Sequence, residues 1–179
     1  VVYSDDYSGG RQMMEHVLGL GHQKIAIITV PETMNHAINR RIAGIKAVLA
    51  EHGFDFDALP RELSDFSTSG GAKAMQTLLN VQDDITAVVC LNDRMAMGAV
   101  QQIYQSGLHV PDDITVVGYD NIASSETSTP PLTTIDQQAV KLGSEATKML
   151  MDVLGGKHPD RVVLETKLIV RASSATPRH

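Results

Sequence analysis

The sequence has little of several features that mark whole classes of protein. Of its 179 residues none is tryptophan, one is cysteine and 4% are aromatic. A single cysteine excludes a disulfide within the chain, and Cys90 stands in the apolar run of residues 87–91, where a thiol is usually a small core group. Apolar runs of about 18 residues are missing, and so is a basic start followed by an apolar segment. We therefore expect a cytoplasmic protein with neither a membrane span nor a signal peptide.

An excess of positive charge is also absent. The chain has 21 acidic and 15 basic residues, which gives it a formal net charge of -6 at pH 7. The long-range field of such a chain repels the phosphate backbone of nucleic acids. The chain itself is therefore not expected to bind DNA.

Motifs for catalysis and metal binding are missing as well. The seven histidines show neither an i, i+4 pair nor a set of cysteine partners, so the usual spacings of a metal site are not met. There is no Gly-x-Ser-x-Gly elbow and no Walker loop, and Gly19-Leu20-Gly21 follows a helical pattern, the reverse of a dinucleotide fingerprint. We expect no metal, no cofactor and no enzyme activity, although a doubly wound α/β fold is always compatible with an enzyme.

What the sequence does contain is a regular alternation of short apolar runs with amphipathic segments. Residues 25–30, 87–91 and 114–117 have the pattern of buried strands, and apolar stripes at helical spacing lie between them. This alternation predicts an α/β fold with parallel sheets flanked by helices. A last helix is expected over residues 137–154, followed by strands at residues 162–164 and 168–170.

The most informative segment is residues 110–121. Its apolar run stops at Gly118, so Asp120 is expected at the carboxyl end of a strand, where open α/β sheets bind ligands. The alternative is a turn-forming aspartate that bonds its own backbone beside Asn121. From these residues alone the two interpretations have equal support.

A second polar residue follows a predicted strand at Asn92. Its side chain offers both a donor and an acceptor to a polar ligand. We assign Asn92 to a ligand and its neighbour Asp93 to the N-cap of the following helix.

Six segments, in this order, resemble the effector-binding core of the lactose repressor and galactose repressor family of bacterial transcription regulators. Each segment alone is weak evidence for this resemblance, whereas all six in this order are strong evidence. The segments are Gly21-His22-Gln23-Lys24-Ile25, Arg41-Ile42-Ala43-Gly44, Asn92-Asp93-Arg94-Met95-Ala96-Met97-Gly98-Ala99, residues 118–121, residues 131–135 and Arg171-Ala172-Ser173-Ser174. The resemblance implies a periplasmic-binding-protein-like type I fold of two Rossmann-like lobes, one complete and one partial here.

The resemblance also implies how the chain divides. Residues 1–21 and 130–157 would form part of an N-terminal lobe, and residues 22–129 and 158–179 a C-terminal lobe. The rest of the N-terminal lobe and a helix-turn-helix DNA-binding domain would precede Val1. We therefore expect the apolar face of Met13, Met14, Val17 and Leu18 to lack cover, and residues 1–21 to be poorly ordered in a monomer.

The resemblance selects further site residues. It implies that Asp120 accepts hydrogen bonds from an effector, and it favours Arg41 over Arg40, although a solvated arginine on a helix face is the commoner case. It places Phe66 where an aromatic packs on a sugar or base, with core filler as the alternative. It places Gln137 on the opposite lobe, closing over the effector, with an ordinary first-turn residue of the helix as the alternative. The predicted ligand-binding set is thus Arg41, Phe66, Asn92, Asp120 and Gln137, and Tyr7 and Asp6 are left out of it.

The function that the resemblance implies is the effector-binding and dimerisation core of a transcription regulator. The effector would be a sugar, with a purine or nucleoside as the alternative, and operator DNA would be bound only through the helix-turn-helix domain. A periplasmic sugar-binding protein of a transport system is the second candidate.

Overall fold

The computed structural model describes residues 1–31 and 36–178 of the chain. Across this part no helix is both long and apolar enough to cross a bilayer. The strands are β1 (Val2–Ser4), β2 (Ile25–Thr29), β3 (Arg61–Leu63), β4 (Ala87–Cys90), β5 (Thr115–Asp120), β6 (Thr133–Asp136), β7 (Val162–Leu164) and β8 (Lys167–Ile169). The helices are α1 (Asp6–Gly19), α2 (His36–Glu51), α3 (Thr68–Val81), α4 (Asp93–Gln105), α5 (Ala123–Thr127) and α6 (Ala139–Leu154), and a short 3-10 helix spans Phe56–Ala58.

The main sheet has six strands in the order β3-β2-β4-β5-β6-β8. Neighbouring strands are parallel from β3 to β6, whereas β8 runs antiparallel to β6. Every residue of β2 and β4 is buried, which explains why these strands are continuous apolar runs in the sequence. β1 and β7 pair in a separate, parallel sheet of two strands. The predicted α/β fold with parallel sheets flanked by helices is confirmed.

The two sheets divide the chain differently from the predicted lobes. β6 falls in the segment 130–157 that was assigned to the partial lobe, yet it pairs with β5 in the main sheet. β7 falls in the segment 158–179 that was assigned to the complete lobe, yet it pairs with β1 in the small sheet. The chain therefore crosses between the sheets three times: after β1, earlier than the resemblance implied, and after β6 and β7, later than it implied.

The expectation that α1 lacks cover is wrong. This helix packs against α2 and also contacts β6 and β8 of the main sheet. Met13, Met14 and Val17 are buried as a result and belong to the main core. The reason is that the chain leaves β1 and returns at once to the main sheet, so α1 covers the large sheet and not the small one.

Among the described residues, the largest group of exposed apolar side chains lies on α6 instead. No residue of this helix is buried, although its sequence has a helical apolar stripe. The helix contacts β1 of the small sheet. Its exposed apolar side chains are Val140, Leu150, Met151, Val153 and Leu154.

Helices α3 and α4 approach each other through glycines. A methyl group on Gly98 would overlap the backbone carbonyl oxygen of Thr68, and one on Gly71 would overlap the backbone of α4. Gly10 and Gly44 bring α1 and α2 together in the same way. The two helix pairs therefore pack backbone against backbone, which fixes α2 against α1 and α4 against α3.

Leu91 tests the assignment of the central strand. It follows β4 directly, its side chain is fully buried, and its backbone N–H donates to the carbonyl of Ile28. We expect Leu91→Ala to lower the free energy of unfolding by about 2–5 kcal/mol, because it leaves a cavity in a packed core. Urea denaturation measures this change. The control is Leu154→Ala on the exposed face of α6, which should change the free energy of unfolding by less than about 0.5 kcal/mol. Equal effects of the two substitutions would contradict the assignment.

Candidate functional site

Three of the five predicted ligand-binding residues meet where β5 and β6 end. Asp120 is the last residue of β5. Its Oδ1 accepts a hydrogen bond of 3.1 Å from Gln137 Nε2 and lies 3.6 Å from Arg41 Nη1. The structure thus brings together a carboxylate, an amide and a guanidinium that are far apart in sequence.

The backbone at the end of β5 is held in an unusual conformation. Asp120 has φ 115° and Asn121 has φ 53°, both in the left-handed region that is unfavourable for side chains other than glycine. The side chain of Asn121 accepts a hydrogen bond of 2.8 Å from Arg171 Nη2, which holds this turn in place. Backbone conformations of this kind persist where surrounding contacts enforce them, and they cluster at functional sites. Within the described chain, no backbone N–H bonds the Asp120 carboxylate, so its side chain does not support the turn-forming interpretation.

Arg41 is held rigidly in the site. Its Nε donates to Asp6 Oδ1 over 2.8 Å, and its Nη1 donates to the backbone carbonyl of Leu91 over 2.8 Å. The guanidinium lies 3.6 Å from the ring centroid of Tyr119, whose hydroxyl also donates to Asp6. Because burial, ion pairing and stacking fix it together, the guanidinium presents one geometry to a ligand beside Asp120.

The choice of Arg41 over Arg40 agrees with their burial. The Arg41 side chain is 8% exposed, whereas that of Arg40 is 41% exposed. Asp6, which sequence reasoning left out of the site, proves to be the buried residue that holds Arg41. The signal for it was Asp5-Asp6 at a helix start, where Asp5 serves as the N-cap.

The N-cap assignment at α4 was wrong by one residue. Asn92 is the cap, since its Oδ1 accepts a 2.8 Å hydrogen bond from the N–H of Met95. Its Nδ2 donates to the backbone carbonyl of Phe66 over 3.1 Å. Asparagine and aspartate are equally good N-caps, so sequence reasoning had no basis for choosing between Asn92 and Asp93.

Asp93 is instead fully buried beneath the site. Its carboxylate accepts hydrogen bonds from the hydroxyls of Ser125 and Thr134 and from the N–H of Ile122. Thr134 Oγ1 in turn accepts from the N–H of Asn121. Asp93 therefore fixes the turn that follows Asp120, and burial raises its pKa while these hydrogen bonds oppose the rise.

Phe66 lies beside Asn92, whereas Gln137 lies beside Asp120. Phe66 has a left-handed backbone, φ 65°, and its ring packs partly against the main core, so the core-filler interpretation has support. Gln137 lies between β6 and α6, which begins at Ala139, so it is not a first-turn residue of that helix. Its backbone carbonyl accepts from Ser4 Oγ over 2.9 Å, which links the small sheet to the site. Ligand binding by all five predicted residues stays a prediction.

The Asp120 carboxyl has a pKa raised to about 7. The main cause is burial, and the negative charges of Asp93 and Asp6 add to the rise while Arg41 opposes it. The ordinary value is 3.8, so the folded state keeps this proton over a pH range in which the unfolded chain has released it. The contribution of the Asp120 carboxyl to the free energy of unfolding is therefore lost as the pH rises from about 4 through about 7.

Asp120→Asn should remove this pH dependence. Between pH 5 and pH 8 the native protein should lose roughly 2–3 kcal/mol of stability that the variant keeps, because the amide cannot ionise. Urea denaturation of both proteins at the two pH values measures the difference, in which contributions from other acidic groups cancel. If the free energies of unfolding of the two proteins differ by the same amount at both pH values, the raised pKa of Asp120 is contradicted.

The geometry suits the binding of a neutral polar ligand. The carboxylate accepts hydrogen bonds, and the amide and guanidinium donate them. A cavity of about 570 Å³ opens beside Asp120, Asn121 and Asp136, at the start of α6. A second cavity, of about 400 Å³, is lined by Tyr3, Asp6 and the first turns of α2.

Comparison with known proteins gives consistent matches. Residues 14–174 match the family described as periplasmic binding protein-like domain. The chain is 35% identical over 171 residues to the HTH-type transcriptional regulator CelR of Thermobifida fusca, an alignment that covers 94% of this chain and 50% of CelR. The chain thus spans about half the length of this curated relative.

Solved structures give the same result. A LacI family transcriptional regulator from Enterococcus faecium with bound ribose is 34% identical and has a TM-score of 0.92, over 98% of this chain and 65% of that chain. A dimeric Lac repressor with an 11-residue C-terminal deletion is 32% identical with a TM-score of 0.92, over 99% of this chain and 64% of the other.

Proposed function

Because the chain belongs to the periplasmic-binding-protein-like domain family, and within it to the LacI family of transcription regulators, we propose that it is the effector-binding and dimerisation core of such a regulator. The effector binds beside Asp120 and changes how the small sheet is held against the main sheet. The affinity of a helix-turn-helix domain elsewhere in the regulator for operator DNA changes in response, and by reciprocity DNA changes the affinity for effector.

The effector we propose is a sugar. The observation that carries this proposal is the convergence of Asp120, Arg41 and Gln137 at the carboxyl ends of parallel strands. Vicinal hydroxyls donate to a carboxylate and accept from a guanidinium or an amide, so this set matches a pentose or hexose. The regulator from Enterococcus faecium binds ribose, which supports the same class. A purine or nucleoside is the second candidate, because a base also pairs with a carboxylate and an amide.

Gln137 provides the physical link between effector and conformation. Its side chain contacts Asp120 in the main sheet, and its backbone is bonded by Ser4 of the small sheet. A ligand that competes for Asp120 Oδ1 displaces the Gln137 amide or binds to it. Either change acts on the connection between the two sheets.

The proposed assembly is a homodimer in the cytoplasm. The Lac repressor to which this chain is similar is dimeric, and symmetric dimers match the paired half-sites of operators. A transport protein is not favoured, because the relatives that the chain matches are transcription regulators.

A ligand titration tests the proposal. The 179-residue chain is titrated with pentoses, hexoses, nucleosides and purines while its melting temperature and backbone amide NMR signals are followed. A ligand at about 100 times its Kd adds roughly 2.7 kcal/mol to stability. We expect a sugar to stabilise the chain, Asp120→Ala to abolish the effect, and Asp152→Ala on the exposed end of α6 to preserve it. Stabilisation by a purine alone would overturn the sugar, and stabilisation that survives Asp120→Ala would overturn the site.

A further inference from the structure

Arg171 lies two residues beyond β8, yet its side chain is bonded to the turn formed by Asp120 and Asn121. Its Nη2 donates to Asn121 Oδ1 and its Nη1 donates to the backbone carbonyl of Leu132, each over 2.8 Å. Both acceptors are uncharged oxygen atoms, so the guanidinium serves here as a planar fork of hydrogen-bond donors. Asn121 lines the cavity beside Asp120, whereas Arg171 is not among the described residues that line it. Arg171 therefore holds the turn without facing the cavity.

The backbone around Arg171 is itself anchored to the main sheet. Its N–H donates to Thr133 Oγ1 of β6 over 2.9 Å. Two residues later, the buried hydroxyl of Ser173 donates to the carbonyl of Val116 in β5 and accepts from the N–H of Thr133. Because two strands fix this backbone, the Arg171 guanidinium has a rigid base from which it reaches Asn121.

The turn needs such a hold because its backbone conformation is unfavourable. The angle φ is 115° at Asp120 and 53° at Asn121. Residues other than glycine rarely adopt such values, and they keep them only where surrounding contacts enforce them. The bond from the Asn121 N–H to Thr134 Oγ1 is long, at 3.3 Å, whereas the bond from Arg171 is short and strengthened by charge. Arg171 is thus a main support of the conformation at Asn121.

We infer that Arg171 is a positioning residue of the effector site. It holds Asn121 in the left-handed conformation, and this directs the Asp120 carboxylate toward Arg41 and Gln137, which lie 3.6 Å and 3.1 Å from its Oδ1. The importance of Arg171 for effector affinity rests on the proposed function. Its hold on the turn is a property of the ligand-free chain and is measured separately.

Two substitutions at Asn121 separate the side-chain bond from the backbone conformation. Asn121→Ala and Asn121→Gly both remove the acceptor for Arg171 Nη2, but glycine adopts a positive φ without a steric penalty. NMR couplings that depend on φ follow the turn in the ligand-free, 179-residue chain. We expect Asn121→Ala to lose the positive φ at this position and Asn121→Gly to keep it.

Arg171→Met removes the same bond from the other side. We expect the pKa of Asp120 to fall below about 7, because burial is the main cause of its rise and a relaxed turn exposes the carboxyl to water. Loss of a nearby positive charge alone would raise this pKa instead. The double variant Arg171→Met/Asn121→Gly should restore both the turn and the pKa. The NMR signal of the Asp120 carboxyl carbon, followed over pH, measures the change.

Calorimetric titrations with ribose and with glucose measure the consequence for binding. The apparent Kd rises as the fraction of the chain in the competent conformation falls, so Arg171→Met and Asn121→Ala should each weaken sugar binding by about tenfold. Asn121→Gly should bind more tightly than Asn121→Ala, and the double variant more tightly than Arg171→Met alone. Arg178→Met is the control, since Arg178 is an exposed arginine paired with Asp112. Circular dichroism confirms that each variant is folded.

The outcomes separate this inference from the proposed function. An unchanged turn in both Arg171→Met and Asn121→Ala would overturn the inference whether or not a sugar binds. A relaxed turn with undiminished sugar affinity would overturn the positioning role. Equal losses of affinity in Asn121→Ala and Asn121→Gly would mean that the Asn121 side chain itself contacts the sugar, and would overturn the role of the backbone. If the turn relaxes as expected but neither sugar binds the native chain, the proposed sugar fails while the hold of Arg171 on the turn stands.

Discussion

Gly98→Ala is expected to lower the free energy of unfolding by about 3 kcal/mol or more, because the added methyl group has no space between two helices. The added Cβ would overlap the backbone carbonyl oxygen of Thr68 and approach the backbone nitrogen of Ala72 to 2.7 Å. Both are atoms of α3, which cannot move aside like the end of a flexible side chain. Helices α3 and α4 would have to separate, and the packing between them would be lost.

Gly143→Ala is the matched control, because Gly143 also lies inside a helix. Nothing lies within 4 Å of the position where its Cβ would be. Alanine there should stabilise the chain by about 0.5–1 kcal/mol, since it favours the helix without meeting a neighbour. If α3 and α4 pack backbone to backbone, chemical denaturation should show changes in the free energy of unfolding that have opposite signs in the two variants. A stabilising Gly98→Ala would refute that packing.

Asp93→Ala is expected to lower the free energy of unfolding by about 3–6 kcal/mol. The substitution removes the acceptor for the hydroxyls of Ser125 and Thr134 and for the N–H of Ile122, and Asp93, Ser125 and Thr134 are fully buried. Each buried donor left without an acceptor is unfavourable by about 1–3 kcal/mol. Because the three side chains are fully buried, most of this penalty falls on the folded state.

Asp93→Asn is the appropriate comparison, because it preserves the shape and one of the two oxygen acceptors. It should destabilise the chain less than alanine does, since at least one of the three donors keeps its partner. Both variants should also change the NMR signals of Asn121, which is bonded to Thr134 in the same network. Loss of stability with unchanged signals at Asn121 would mean that Asp93 does not fix the turn after Asp120.

The α/β fold was predictable from the sequence because its signal is local. Buried parallel strands give apolar runs and the helices give stripes, and each pattern is complete within about ten residues. The division between the two sheets was not predictable in this way. Whether β6 pairs with β5 or with a strand of the small sheet depends on long-range register, which leaves no trace in the residues 133–136 themselves.

The site was predictable to the extent that it depends on strand ends. Asp120 ends a strand, Asn92 and Gln137 come just after one, and parallel strands bring their carboxyl ends to one edge. Asp6 escaped prediction because its role depends on where α1 returns to the main sheet. Asp93 escaped because its burial depends on α5 and β6, which approach it from 29 to 41 residues further along the chain.

The pairing of β1 with β7 sets the order in which a newly synthesised chain is able to fold. Val2 pairs with Val162 and Ser4 with Leu164, so this pairing forms only after nearly the whole of this segment has been translated. At roughly 5–20 residues per second, β1 waits about 8–30 s for β7 to emerge from the ribosome. The main sheet has all its parallel strands well before that, since β2 to β6 end at Asp136. On the ribosome Asp120, at the end of β5, is therefore in place before β1 pairs with β7.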